Sequence, residues 1–136
     1  MEAALRSAYE LKTRTRLEHI EFHPVRGLEG IKEAEIRIDG LPVKVAVAHG
    51  LSNARTLLEK VSAAVKTGGS PYHFIEIMAC RGGCIGGGGQ PIDNSMRRRE
   101  ERIRGLYRED EDRPIRRSHE NPEVGAIYEK FIGSAG

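Results

Sequence analysis

Hydrophobic positions in the first half of the chain follow two different periods. Over residues 1–12 the apolar side chains cluster on one side at helical spacing, which predicts a short helix. Its apolar members are Leu5, Ala8, Tyr9 and Leu11. Apolar residues then alternate with polar ones over 18–48, beginning with Ile20 and Phe22. This second pattern predicts β structure over 18–48, with an antiparallel hairpin that turns at Asp39-Gly40.

The last run of this β segment carries small residues on one of its two faces. Its alternating pairs are Val43, Lys44, Val45, Ala46, Val47 and Ala48. Because alanine side chains leave room, another element is expected to pack closely against that face. An amphipathic helix is predicted over 52–66, with Ser52 as its N-cap and Gly68-Gly69 as its end. The expected buried stripe of this helix is Leu57, Leu58, Val61 and Val65.

A mostly apolar segment over 73–79 follows the 52–66 helix and predicts a buried strand. Strand, helix and strand at this spacing indicate a βαβ unit with some parallel pairing. The fold class expected is therefore α/β, with a small mixed sheet, flanking helices and a glycine-rich cysteine loop over 80–91.

Two more helices are predicted in the last third of the chain. One is a charged helix over 95–109, and the other opens at Asn121-Pro122, a good cap and first-turn pair. The expected inner stripe of the last helix is Val124, Ile127, Tyr128 and Phe131. We expect residues 1–132 to form a single lobe and 133–136 to be a disordered tail.

Charge and composition limit the possible partners. The 136 residues include 22 basic and 20 acidic ones, a net charge of +2 that gives no strong field for nucleic acid. The arginine-rich stretch 97–102 has no interleaved aromatic residues, which favours a solvated helix. No apolar run approaches the ~20 residues of a membrane span, and the first residues lack a secretory signal, so we predict a cytoplasmic chain. Only 5% of residues are aromatic, which predicts a thin core that needs a partner surface.

The segment with the clearest chemistry is the loop that begins at Cys80. Three residues separate Cys80 from Cys84, and glycines stand at 82, 83 and 86–89. Two thiols at this spacing can converge on one inorganic centre, at the carboxyl end of a strand where ligands usually bind. The glycines let the backbone approach a bulky ligand, and their N–H groups can point at cluster sulfur.

Other interpretations of this loop remain open from the residues alone. The cysteines could be free core thiols or a regulatory disulfide, and the glycine run could be a flexible linker. A phosphate-binding loop is disfavoured because no Gly-Lys-Ser/Thr follows. A cubane cluster takes four thiolates and a structural zinc site four ligands, whereas this chain has two cysteines and no histidine at finger-like spacing. Any cluster here must therefore take half of its ligands from another chain.

The cysteine loop and the strand before it read Glu76-Ile77-Met78-Ala79-Cys80-x-Gly-Gly-Cys84, followed by Gly-Gly-Gly-Gln-Pro at 87–91. This stretch resembles the third cysteine motif of the iron-only hydrogenases. The stretches that also resemble this family are 1–10, 25–34, 45–50, Arg98-x5-Arg104-x-x-Tyr107 and 117–122. The resemblance covers nearly the whole chain and implies half of the domain that holds the active-site H-cluster.

The resemblance implies a role for individual residues. Cys80 would ligate the four-iron cubane, and Cys84 would ligate the cubane and bridge it to the two-iron subcluster that binds hydrogen. Met78 would pack beside the two-iron unit, so Met78 and Cys84 are the expected catalytic residues. The expected cofactor-binding set is Met78, Cys80, Gly83, Cys84, Gly87 and Gln90. The implied reaction is the reversible combination of two protons and two electrons to H2.

The first two cysteine motifs of the family are missing, and with them two cubane ligands and the usual proton path. The resemblance therefore implies a small subunit or a fragment that works with a second, cysteine-bearing hydrogenase chain and with maturation proteins, and is inactive alone. Arg81 stands where the family more often has proline. Three alternatives stay open: a cluster-carrying sensory relative, a cluster-free interaction module, and a homodimer that shares four cysteines. His49 is expected to have a core or turn role.

Overall fold

One mixed sheet of three strands forms the centre of the computed structural model, which describes residues 1–19 and 22–133. The regular elements are α1 (Glu2–Thr13), β1 (Ile31–Ile38), β2 (Leu41–His49), α2 (Leu51–Lys66), β3 (Phe74–Met78), α3 (Met96–Asp112) and α4 (Pro122–Ile127), with a π-helical turn at Tyr128–Ile132. Short 3-10 turns lie at His23–Val25, Gly83–Gly86 and Ser118–Glu120. The predicted α/β class, mixed sheet and flanking helices are confirmed.

The order of the strands is β1-β2-β3, and the two pairs run in different directions. β1 and β2 are antiparallel, and the hairpin between them turns at Asp39 (φ 53°) and Gly40 (φ 75°). Left-handed conformation at both positions matches the twist of a two-residue hairpin, as the Asp-Gly pair predicts. β2 and β3 are parallel, with His49 opposite Met78. The helix between them is α2, so the predicted βαβ unit is confirmed.

β2 is the most deeply buried strand because a helix packs against each of its two faces. Ala46 and Ala48 pack with Ala54 and Leu57 of α2 and with Tyr72. On the opposite face, β2 packs against α1 and the turn at 23–25, through Val45, Val47, Leu5 and Val25. The close packing predicted for the alanine face is thereby confirmed, since a larger residue there would displace α2.

The β structure predicted over 18–30 is wrong for the residues that are described there; Ile20 lies outside them. His23–Val25 form a 3-10 turn, and Phe22 lies just before it. The backbone N–H of Phe22 donates to Glu2 of α1 at 2.7 Å instead of to a strand. Pro24 has no backbone N–H to give to a ladder, so this segment follows α1 rather than extending the sheet. In the predicted tail, residues 134–136 also lie outside the described part.

The predicted N-cap of α2 is wrong by two residues. The helix begins at Leu51, and its cap is Gly50, whose φ of 84° turns the chain out of β2. The backbone N–H of Gly50 donates to the carbonyl oxygen of Met78 at 2.8 Å, which fixes the start of α2 beside the end of β3. The predicted C-terminal end is right, because Gly68 adopts φ 102° directly after the cap.

Several predicted buried stripes are exposed in this chain. β3 is an edge strand, and its Ile77 is 43% exposed, so the prediction of a buried strand is wrong. On α2, Leu57 is buried but Leu58 and Val65 are not. The stripe of the last helix is exposed too, with Phe131 at 82%. In each case the amphipathic pattern is present, and the described residues provide no surface that covers it.

Asp110 joins α3 to α1 through a cluster of arginines. Its two carboxylate oxygens each accept a hydrogen bond from Arg6 at 3.1 Å. Arg116 and Arg26 donate to the same carboxylate at 2.6 and 3.5 Å. The hydrogen bonds from Arg6 are the largest cause that holds the pKa of Asp110 down at about 2. The ionised form of Asp110 therefore stabilises the folded chain.

We expect Asp110→Asn to lower the free energy of unfolding at pH 7 by roughly 1–3 kcal/mol, since it removes a carboxylate that accepts hydrogen bonds from three arginines. Because the folded pKa lies below the unfolded one, the Asp110 contribution is complete above about pH 4 and is lost as the pH falls towards 2. Urea unfolding at pH 7 and at pH 2 measures both effects. Asp112→Asn, at an exposed site on the same helix, should leave stability unchanged. Equal unfolding free energies for the two variants at pH 7 would contradict this role.

Candidate metal-cluster site

The cysteine loop starts directly after β3, where the sheet ends. Cys80 follows the strand by two residues, and Cys84 lies in the 3-10 turn Gly83–Gly86. The backbone N–H of Gly83 donates to the carbonyl oxygen of Cys80 at 2.9 Å and folds the chain back on itself. This turn needs left-handed residues at two consecutive positions, Gly82 (φ 86°) and Gly83 (φ 71°). Both thiols are free and exposed.

The predicted site residues line one cavity of about 620 Å³. Those that contribute to its wall are Met78, Cys80, Gly83, Cys84, Gly87 and Gln90, together with Ile77, Ala79 and Gly89. A methyl group added at Gly87 would lie 3.8 Å from the Cys80 sulfur, and one at Gly83 would lie 2.6 Å from the Met78 sulfur. Two exposed thiols beside backbone that carries no side chains fit one half of a large thiolate-bound centre.

A second cavity of about 370 Å³ lies on the other side of Cys84 and Met78, between the sheet and α3. Buried polar residues line part of it: Lys32 donates to the carbonyl oxygens of Val25 and Gly27 at 2.7 and 3.0 Å. Burial lowers the pKa of Lys32. Lys32 was not predicted as a site residue. A lysine on the inward face of β1, opposite Val47, is the signal in the sequence from which it could have been predicted.

His49 also lines this second cavity and is only 4% exposed, as its predicted core position requires. Burial, and then the charge of Lys32, lower the pKa of His49. Neither ring nitrogen has a hydrogen-bond partner among the described residues. His49 lies opposite Met78 across the β2–β3 pair, and both residues line this second cavity.

A pair of exposed thiols on a glycine-lined cavity at the end of a parallel strand is typical of α/β proteins that bind a metal cluster. Residues 1–88 match the family model described as iron only hydrogenase large subunit, C-terminal domain. Residues 96–136 match the model described as iron hydrogenase small subunit. The chain belongs to the iron-only hydrogenase family, whose members carry the H-cluster, a four-iron cubane joined to a two-iron subcluster.

Individual relatives agree with the family assignment. The chain is 47% identical to the NADP-reducing hydrogenase subunit HndD of Solidesulfovibrio fructosivorans over 98% of this chain and 22% of that protein. It is 43% identical to iron hydrogenase 1 of Clostridium pasteurianum over 100% of this chain and 24% of that protein. A structure of the FeFe-hydrogenase HydA1 of Chlamydomonas reinhardtii superposes with a TM-score of 0.73 at 38% identity, covering 98% of this chain and 40% of that one.

The chain spans about a quarter of these two curated relatives and about two fifths of the solved chain. Cytosolic Fe–S cluster assembly factors also match, at between 29% and 36% identity. Within residues 1–19 and 22–133, no helix combines the length and the apolarity that crossing a membrane requires.

Proposed function

We propose that this chain supplies Cys80 and Cys84 as two of the four thiolate ligands of an H-cluster cubane. The observation that carries the proposal is the pair of free, exposed thiols on a glycine-lined cavity in a chain of the hydrogenase family. The sequence contains two cysteines and a cubane takes four thiolates, so a polypeptide with the other two must complete the site.

Each residue of the cavity then has its own task. Cys80 and Cys84 would hold the cubane, and Cys84 would also connect it to the two-iron unit. Met78 would lie beside that unit, and Gly83, Gly87 and Gln90, which line the same cavity, would contact the cluster. When bound, the H-cluster supplies the redox chemistry that interconverts H2 with two protons and two electrons. Maturation proteins would install it.

The surface next to the loop supports docking of the partner polypeptide. Large apolar side chains are exposed on the edge strand β3 and on the first half of α2: Leu51, Leu58, Phe74 and Ile77. Leu51, Leu58 and Ile77 line one shallow apolar cavity of about 490 Å³. Burying these side chains is favourable at roughly 25 cal/mol per Å² of apolar surface. Since β3 leads into Cys80, a partner seated there would lie next to the cysteine loop.

Anaerobic reconstitution with iron and sulfide tests the proposal. The chain alone is expected to hold no stable cubane and to evolve no H2. Mixed with a polypeptide that carries the other two cysteine motifs, it should retain about four irons of a cubane per complex. Iron analysis after gel filtration measures this, with the Cys80→Ser/Cys84→Ser double variant as the control. A stoichiometric cubane in the isolated monomer would overturn the proposal, and one in a homodimer would favour a shared four-cysteine site.

A second candidate is a cluster-carrying protein without H2 turnover. It is favoured by the similarity to cytosolic Fe–S cluster assembly factors. The stretch Ser118–Pro122, by its resemblance to hydrogenases, favours the first candidate. Infrared bands of carbon monoxide and cyanide ligands in the matured complex would support the hydrogenase. A complex that binds the cubane, shows no such bands after maturation and evolves no H2 would support the second candidate.

A further inference from the structure

A side chain of α3 donates hydrogen bonds to the chain on both sides of the glycine run that follows Cys84. Glycine loses more conformational freedom on ordering than any other residue, so four consecutive glycines are costly to hold in one shape. At Gly88 and Gly89 nothing lies within 4 Å of where a side chain would begin, so packing does not hold the middle of the run. The loop must be fixed from elsewhere if Cys84 is to keep its position.

Arg102 of α3 contacts both sides of this run. Its Nη1 donates to the carbonyl oxygen of Ile85, the residue after Cys84, at 2.9 Å. Its Nη2 donates to the carbonyl oxygens of Pro91 and Asp93 at 3.1 and 2.7 Å. The planar guanidinium thus bridges the beginning and the end of the glycine run, which a single point donor cannot do.

Asn94 extends the same arrangement. Its side-chain nitrogen donates to the carbonyl oxygen of Gly86 at 2.9 Å, so the first glycine of the run is also held. Its side-chain oxygen accepts from Arg99 at 3.0 Å and from Arg102 at 3.4 Å. Arg99 and Arg102 therefore orient the side chain of Asn94. Asn94 and Arg102 in turn donate hydrogen bonds to carbonyl oxygens of the loop.

We propose that Arg102, with Asn94, is a positioning residue that preorganises the Cys80–Cys84 pair for metal binding by closing the glycine run against α3. This inference rests on the proposed function, because it assumes that Cys80 and Cys84 bind metal together. Arg102 acts through the loop backbone. Residues that orient metal ligands from behind commonly change metal affinity by about 10–100-fold when they are removed.

The test uses Cd²⁺ as a probe of the thiol pair in the full chain, free of any partner. Arg102→Gln should weaken Cd²⁺ binding by about tenfold and should speed hydrogen exchange at the amides of residues 84–87. Arg102→Lys keeps the charge but loses the fork, so it should recover only part of the affinity. Arg97→Gln is the matched control, since Arg97 lies on the exposed side of the same helix and pairs with Glu101.

Several outcomes decide the matter. Unchanged exchange at residues 84–87 and unchanged Cd²⁺ affinity in Arg102→Gln would overturn the positioning role while leaving the proposed function intact. The expected losses, together with failure of the partner complex to take up a cubane, would uphold the role and overturn the proposed function.

If Arg102→Gln does not fold by circular dichroism, Asn94→Ala replaces it, with faster exchange at Gly86 and Gly87 as the expected result. If Cd²⁺ binding is too weak to measure in the unmodified chain, the exchange rates alone decide.

Discussion

Cys84→Ser in the assembled complex is expected to abolish H2 turnover while a cubane signal persists. Both cysteines are proposed to supply a thiolate, but only Cys84 is expected to link the cubane to the two-iron unit. A serine oxygen is a harder donor than a thiolate and can still hold an iron of the cubane weakly. Electron paramagnetic resonance would report the cubane, and infrared spectra would report the two-iron unit, whose carbon monoxide and cyanide bands should vanish.

Two companion variants separate this effect from general damage. Cys80→Ser should weaken the cubane itself, so the two-iron unit is lost with it. Met78→Leu should retain both metal units and change only the rate or the potential, because thioether packing is adaptable. Full turnover and intact infrared bands in Cys84→Ser would refute the bridging role of Cys84.

Gly86→Ala is expected to be the most disruptive single change in the loop outside the cysteines. A methyl group there would overlap the carbonyl oxygen of Arg81 and would lie 3.3 Å from Nε of Arg99. A backbone oxygen cannot rotate away as the end of a side chain can, so the turn around Cys84 must open. We expect roughly 1–3 kcal/mol of lost stability and a large loss of cubane from the assembled complex.

Gly88→Ala is the matched control for this prediction, since nothing lies within 4 Å of the added methyl group in this chain. Urea unfolding of the chain and iron content of the complex would measure the two effects separately. If Gly86→Ala and Gly88→Ala bind iron equally well, the tight turn at Gly86 is not what holds Cys84 in place.

Local patterns in the sequence predict most of this fold correctly. The alternation in 31–48 and the Asp39-Gly40 pair specify the hairpin, since two left-handed residues in a row are needed there. The alanines of β2 correctly predict a closely packed helix. The six predicted site residues lie around one cavity because Met78 ends β3 and the other five follow it in a short run of chain that has little room to spread.

Other features depend on contacts that have no local signature. Leu58 and Ile127 fit amphipathic patterns, but whether such residues are buried depends on which surface covers them. Apolar and polar residues alternate before Gly30 as they do in a strand. The side chain of Glu2, some twenty residues away from Phe22, nevertheless accepts the hydrogen bond from the backbone N–H of Phe22. Arg102 binds backbone carbonyl oxygens, which every residue has, so the sequence does not distinguish it from the other arginines of α3.

The outer edge of β3 has a consequence for how much of this chain a cell should make. β3 pairs with β2 on one side, and no strand among residues 1–19 and 22–133 pairs with its other side. Unpaired strand edges beside apolar residues such as Phe74 and Ile77 act as templates for further strands, including those of identical copies. We therefore expect synthesis of this chain in excess of the polypeptide that we propose completes its site to favour self-association through β3, so that balanced supply of the two would matter as much as the stability of either.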